Sequence, residues 1–136
     1  MSARSRGDYP ASWAELARAV KTAAGWRCIR CGWPHDPWQH MGLTVAHLNH
    51  DRSDTAWFVL AALCARCHLW SHARIVLEQP RLIGEHEPWL LPYLAGWHAR
   101  RVLGVELTRA DVAARLTELL ALERFAIGGM ACSDAS

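Results

Sequence analysis

The chain has 136 residues, a formal net charge of +2, 51% hydrophobic residues and 21% charged residues. This length suits one compact domain, and these fractions exclude extensive disorder. No apolar run reaches the roughly 18–20 residues that a bilayer-spanning helix needs, and the N-terminus lacks the apolar core of a signal peptide. We therefore expect a cytoplasmic protein that does not associate with membranes.

The first predicted element is an amphipathic helix over residues 12–24, after a flexible lead over residues 1–11. Ser12 followed by Glu15 has the spacing of a capping box, in which each side chain bonds a backbone amide of the first turn. Apolar side chains then recur at helical spacing, at Trp13, Leu16, Val20 and Ala24. Gly25 is typical of the position that ends a helix.

A strand, a loop, a second strand and a helix are predicted next. Residues 43–47 include β-branched side chains and favour a short strand, and residues 49–54 are polar and turn-like. The apolar run 57–63 has the length of a strand, although periodicity alone also allows a helix. A helix follows the last Cys-x-x-Cys pair through about Leu77 and is ended by Pro80.

The remainder of the chain is predicted to form a helical hairpin. Pro88 suits the first position of a helix over residues 89–103, and Gly104 suits its end. Thr108 is the predicted cap of a second amphipathic helix, whose apolar positions are Val112, Leu116, Leu119, Leu120 and Phe125. The arginines of this hairpin form either a solvated face or a DNA-contacting one: Arg100, Arg101, Arg109 and Arg115.

Four of the five cysteines form two Cys-x-x-Cys pairs, at Cys28, Cys31, Cys64 and Cys67. Four thiolates satisfy the tetrahedral preference of zinc, and each pair can supply two ligands. The alternatives are buried cysteines that pack as small hydrophobic side chains, or a redox-active pair. We favour one structural zinc ion shared by all four, because Gly32 and His68 follow the two pairs.

Histidines and one aspartate cluster between and after these cysteines. His68 and His72 are four residues apart on one face of the predicted helix, a spacing that can hold one metal ion. His47 is a candidate base that activates water, and His50 or Asp51 could complete the metal's shell. A base and a cation are the parts that phosphodiester hydrolysis needs. The alternative for each histidine is a packing or surface role.

The sequence segments that contain these cysteines and histidines resemble the HNH endonucleases of the zinc-bearing, phage and bacterial type. The resemblance covers roughly residues 26–75, and its specific part is the string Leu63-Cys-Ala-Arg-Cys-His68 behind the strand that ends at His47. It implies a ββα-metal fold that cleaves DNA with a divalent cation, Mg, Mn, Ni or Zn. It also implies that His47 is the general base, that His68 and His72 bind the catalytic metal, and that the four cysteines bind structural zinc.

The resemblance implies an α+β fold with a small ββα-metal zinc module. We expect this module, with its N-terminal helix, over residues 12–79, a helical extension over 88–127 and a disordered tail over 128–136. DNA is the expected partner, the C-terminal helices are a candidate homodimer surface, and the host is a bacterium or a phage-infected cell.

Two positions depart from the family's pattern. An acidic or histidine ligand commonly precedes the catalytic histidine, where this chain has Ala46, and the family's middle asparagine corresponds to Val59. Asn49, Asp51 or Asp54 could take over the role of that asparagine from the loop. The alternative function is therefore a catalytically degenerate, zinc-stabilised module that binds nucleic acid or protein.

Overall fold

The computed structural model of the chain describes residues 9–36, 38, 42–72 and 87–123. The chain divides into two compact units, Met1–Ile75 and Val76–Ser136. The fold is α+β, as the sequence predicts, with helices in both units and a two-stranded antiparallel sheet in the first. None of the described helices combines the length and the apolar character that crossing a bilayer requires.

The first unit begins with helix α1 (Trp13–Ala23), close to the predicted bounds. Gly25 has φ +68° and its amide donates to the Thr22 carbonyl, while the Trp26 amide donates to Lys21, so α1 ends in a Schellman motif. The predicted capping box is not formed. Among the described residues, the Ser12 side chain makes no capping hydrogen bond, because its backbone (φ −94°, ψ 23°) lacks the extended conformation that a cap requires.

Strands β1 (Leu43–His47) and β2 (Leu60–Cys64) form the antiparallel sheet. The register pairs Leu43 with Cys64 and His47 with Leu60. The apolar run from Trp57 is divided: Trp57–Val59 forms one 3₁₀ turn, and the strand begins at Leu60. All five residues of β2 are buried, because α1 and the following helix also pack on this strand.

Helix α2 (Ala65–His72) follows β2 without a loop and packs against both strands. The predicted continuation of this helix to Leu77 lies outside the described residues. Phe58, Leu48 and Leu63 are fully buried in the core of this unit. The order strand, loop, strand, helix matches the prediction and sets the end of β1 beside the first turns of α2.

The second unit contains helices α3 (Leu91–His98), α4 (Arg109–Ala114) and α5 (Leu116–Leu120). A 3₁₀ turn, Pro88–Leu90, precedes α3, and a π-helical turn, Ala99–Leu103, continues it to Gly104 at φ +72°. Thr108 caps α4 as predicted, since its Oγ1 accepts a hydrogen bond from the Asp111 amide at 3.1 Å.

The predicted second helix of the hairpin is interrupted. Arg115 has φ −123° and ψ 26°, outside the helical region, so α4 and α5 are separate short helices. Val112 and Leu119, one from each helix, are fully buried, and α3 packs against both helices. The predictions for the chain beyond Glu123, which place Phe125 in the helix and a disordered tail after it, fall outside the described residues.

Candidate functional site

The first Cys-x-x-Cys pair lies in a tight turn that aims sulfur and amide groups at one point. The Gly32 amide donates to the Cys28 carbonyl at 2.8 Å, and Gly32 has φ +79°, a conformation that glycine adopts without strain. The Cys31 amide donates to the Cys28 sulfur at 3.5 Å. The turn is closed by the Cys28 amide, which donates to the Trp33 carbonyl.

The sheet brings the second pair to this turn. The Ile29 amide donates to the Ala62 carbonyl at 3.0 Å, which ties the turn to β2 just before Cys64. The four cysteine sulfurs all lie within 4.8 Å of one another, and Cys31 Sγ and Cys64 Sγ are 3.8 Å apart. Four thiolates about 2.3 Å from a tetrahedral zinc would stand about 3.8 Å apart. The four cysteines could therefore hold a metal ion such as zinc.

The environment of the cysteines also fits a cation. Burial alone raises the pKa of the Cys28 thiol, but amide donors from Cys31, Cys64 and Arg30 outweigh it and lower this pKa to about 7. Burial raises the pKa of Cys67 to about 12, although the Arg30 guanidinium donates to its sulfur at 3.4 Å. Buried thiols of this kind ionise together only when a cation compensates their charge.

A second cluster lies in a cleft of about 360 Å³ on the same unit. Seven side chains line this cleft. Four are the histidines that the sequence singles out, His47, His50, His68 and His72, and the other three are Tyr9, Val45 and Arg52. The ring centroids of His68 and His72 are 4.7 Å apart, and those of His50 and His72 are 5.5 Å apart. Strand β1 and the following loop thus each supply one histidine to the cleft, and α2 supplies two.

Thr44 orients the imidazole of His68. Thr44 Oγ1 donates its one hydrogen to the Leu63 carbonyl at 2.7 Å, so it accepts from His68 Nδ1–H, also at 2.7 Å. The tautomer of His68 therefore leaves Nε2 with a free lone pair for a ligand. Burial, with smaller contributions from the charges of His72, His47 and His50, lowers the pKa of His68 to about 4.

His47, at the end of β1, forms a three-ring cluster with two aromatic side chains. Its ring stacks on Trp13 with the centroids 4.9 Å apart, and Tyr9 lies 5.8 Å away. His47 Nε2 is buried and has no hydrogen-bond partner among the described residues. Burial lowers the pKa of His47, despite the opposing charges of Asp51 and Asp54. The lowered pKa favours the neutral imidazole.

The loop after β1 is held by its own polar side chains. Asn49 Nδ2 donates to Asp54 Oδ2 at 2.8 Å, and the Asp51 amide donates to Asn49 Oδ1. His50 has φ +61°, and its amide donates to the His47 carbonyl at 2.9 Å. Asp51 Oδ1 accepts from both the amide and the hydroxyl of Ser53. The carboxylate of Asp51 thus stabilises the loop and is not part of the cleft lining.

The structure therefore brings four of the five predicted catalytic residues together and leaves Asp51 apart. Within the described part of the chain, the cysteines are the one group of three or more potential ligands close enough to hold a metal ion. The histidines form a more open arrangement. Thr44, Trp13 and Arg52 were not predicted, because their roles depend on strand register and helix packing, which sequence spacing does not reveal.

Comparison with models of protein families, with curated proteins and with solved structures found no match to this chain.

Proposed function

We propose that this chain is a metal-dependent endonuclease of the HNH type, which hydrolyses DNA phosphodiester bonds around a structural zinc. One observation carries the proposal: His47, at the end of β1, shares a cleft with the i, i+4 pair His68 and His72 of α2. The order β1, loop, β2, α2 is the one expected for a ββα-metal module. The four-cysteine cluster at the base of these elements supports a zinc-stabilised form of that module.

The residues of the cleft suit the chemistry of phosphodiester hydrolysis. His47, whose lowered pKa favours the neutral imidazole, would take a proton from the attacking water. His68, through Nε2, and His72 would hold a divalent cation, with His50 nearby to complete its shell. When bound, the cation supplies positive charge that stabilises the phosphate and the leaving oxygen.

Arg52 adds a permanent positive charge to the cleft lining. Its guanidinium lies 5.0 Å from the centre of the Tyr9 ring, which restricts where that charge can sit. A phosphate entering the cleft would meet this guanidinium together with the histidines, and arginine suits such oxyanions. DNA is therefore the proposed partner, and the cytoplasm of a bacterial or phage-infected cell is the proposed location.

The loop contacts offer a substitute for the asparagine missing at Val59. Asn49 is 8% exposed and joins Asp54 across the loop that follows His47. We assign to this pair the role of fixing the loop, and with it the position of His47. The C-terminal helices remain the proposed homodimer surface.

The test is cleavage of supercoiled plasmid with added Mg²⁺, Mn²⁺ or Ni²⁺. We expect nicking or linearisation that EDTA abolishes and that His47→Ala reduces about 10²- to 10⁴-fold, the usual contribution of a general base. His35→Asn is the matched control, because His35 is exposed outside the cleft and Asn can still accept from the Leu43 amide. Equal cleavage by wild type and His47→Ala would contradict the proposal.

A second function, binding without catalysis, is supported by one observation. Among the described residues, the histidines do not form a closed three-ligand site, whereas the cysteines do. A binding module would take up one zinc ion per chain and no exchangeable second metal. Isothermal titration of the zinc-loaded protein with Mn²⁺ separates the two functions, since the nuclease binds it in the cleft and the binding module does not.

A further inference from the structure

Three exposed tryptophans on the zinc knuckle have no part in the nuclease site. Trp26, Trp33 and Trp38 are 38%, 45% and 90% exposed. Indole rings usually bury most of their surface, so Trp38, which shares a thirteen-residue segment with two partly exposed rings, calls for a ligand. We name these three residues the tryptophan face.

The backbone that carries two of these rings is fixed by the cysteine turn. The Trp33 carbonyl accepts from the Cys28 amide at 2.9 Å, and the Trp26 carbonyl accepts from the His35 amide at 3.0 Å. The Trp38 amide donates to Asp36 Oδ1 at 3.1 Å. Rings on a fixed backbone lose little conformational entropy when a ligand stacks on them.

The charge around the tryptophan face favours a polyanion. The segment that carries the three tryptophans, residues 26–38, contains two basic side chains and one acidic one, Asp36. Lys21 Nζ lies 5.8 Å from the centre of the Trp26 ring, and the Arg30 guanidinium lies 3.9 Å from that of Trp70. Cations interleaved with aromatic rings are the pattern that binds single-stranded nucleic acid, whose bases stack on the rings while its phosphates meet the cations. Duplex DNA does not offer its base faces.

Helix α2 connects this surface to the cleft. Cys67 and Trp70 lie on the side of α2 that meets Arg30, whereas His68 and His72 lie on roughly the opposite side, about 150° away at 3.6 residues per turn. The two surfaces are thus separated by about one helix diameter, 10–12 Å. A strand whose phosphates meet Arg30 can therefore reach the cleft with its next few phosphates.

We propose that the tryptophan face binds single-stranded DNA by base stacking, so that the nuclease acts on unpaired rather than fully paired DNA. The binding step depends only on the knuckle, and the preference in cutting rests on the proposed function. Binding and cutting are therefore tested separately.

Binding is measured by fluorescence anisotropy, using a labelled oligothymidylate and a labelled duplex of equal length, with zinc-loaded protein and no added metal. Each of Trp33→Ala and Trp38→Ala is expected to weaken oligothymidylate binding about 5- to 100-fold, as expected for loss of one stacked base. Trp38→Phe should recover most of the affinity, since a phenyl ring still stacks. Leu69→Ala is the control, because Leu69 is 73% exposed on α2 but offers no aromatic ring.

Unchanged binding in both alanine variants, or equally tight binding of the duplex, would overturn the proposal. Zinc content per chain and the thermal transition show that each variant is folded. Cleavage is then followed on single-stranded and duplex DNA with Mn²⁺. If the tryptophan variants lose binding while no protein cuts DNA, the nuclease proposal fails and the stacking surface stands. If His47-dependent cleavage persists with no tryptophan effect, the stacking surface fails and the nuclease stands.

Discussion

The cysteine cluster is closed and mostly buried, whereas the histidine cleft is open, although α2 contributes side chains to both. Cys28, Cys64 and Cys67 are at most 2% exposed, and their sulfurs already stand at distances that suit zinc. In the cleft His72 is exposed and the histidines are less tightly grouped. The difference is the one expected between a site that holds a fold together and one that must admit a substrate.

The largest expected effect comes from the closed site. Zinc binding contributes about 10–16 kcal/mol to the folding of small zinc modules, as much as or more than the total stability of most domains. Removing zinc with a strong chelator, or replacing Cys64 by Ser, should abolish the cooperative unfolding of the first unit. Zinc analysis and circular dichroism measure this loss. Cys132→Ser, which alters the cysteine outside both pairs, should leave zinc content unchanged.

Within the open site, the affinity for the divalent cation is expected to depend on Thr44. Thr44→Val keeps the shape of the side chain but loses the acceptor for His68 Nδ1–H, so the orientation of the imidazole is no longer fixed. The affinity for Mn²⁺ should fall about 10- to 100-fold, which is about 1.4–2.7 kcal/mol. Thr44→Ser should restore it, and zinc content should not change. Equal Mn²⁺ affinity in the valine and serine variants would show that Thr44 does not position His68.

A substitution in the loop that follows β1 should have a smaller effect, on the free energy of unfolding. Asn49→Ala removes the hydrogen bond to Asp54 and the acceptor for the Asp51 amide. The expected cost is about 1.5 kcal/mol of unfolding free energy, typical of a bond to a charged group. Urea denaturation measures it. The cleavage rate should fall as well, because the loop that follows His47 is then held less firmly.

His98, in the second unit, shows how burial changes the pKa of a histidine outside the four that line the cleft. It is fully buried, with Nδ1 3.0 Å from the Leu119 carbonyl, and burial lowers its pKa despite that carbonyl and Glu123. The native state therefore binds fewer protons than the unfolded state below about pH 6.5, so stability falls as the pH is lowered from there. The slope cannot exceed about 1.4 kcal/mol per pH unit.

The comparison of wild type with His98→Leu isolates this contribution. As the pH is lowered from 7.5 to 5.5, the unfolding free energy of wild type should fall relative to that of His98→Leu. A constant difference would mean that His98 is protonated equally in the folded and unfolded states. Groups shared by both proteins, including the other histidines, cancel in this difference.

Spacing predicted the closed site better than the open one. Two Cys-x-x-Cys pairs specify four ligands by themselves, and β-branched residues located β1 with its observed bounds. The tautomer of His68 depends on Thr44 and Leu63 being paired across the sheet, which no local pattern encodes. The stacking of His47 on Trp13 likewise depends on how α1 packs. Two predictions were wrong, the capping box at Ser12 and an unbroken helix through Arg115. In both places the local backbone conformation overrides the preference of the residue types.

The pairing of β1 with β2 has a consequence for how such a molecule can change. Leu43 opposite Cys64 aligns the cysteine cluster, and Thr44 opposite Leu63, one step along the ladder, aligns His68. A slip of one residue would turn every side chain of the strand to the other face and ruin both centres at once. The connection between the strands, residues 48–59, carries His50 and Arg52 of the cleft but none of the four clustered cysteines. Altered residues there would change the cleft without moving the cysteine cluster, so new specificities would most readily evolve in that connection.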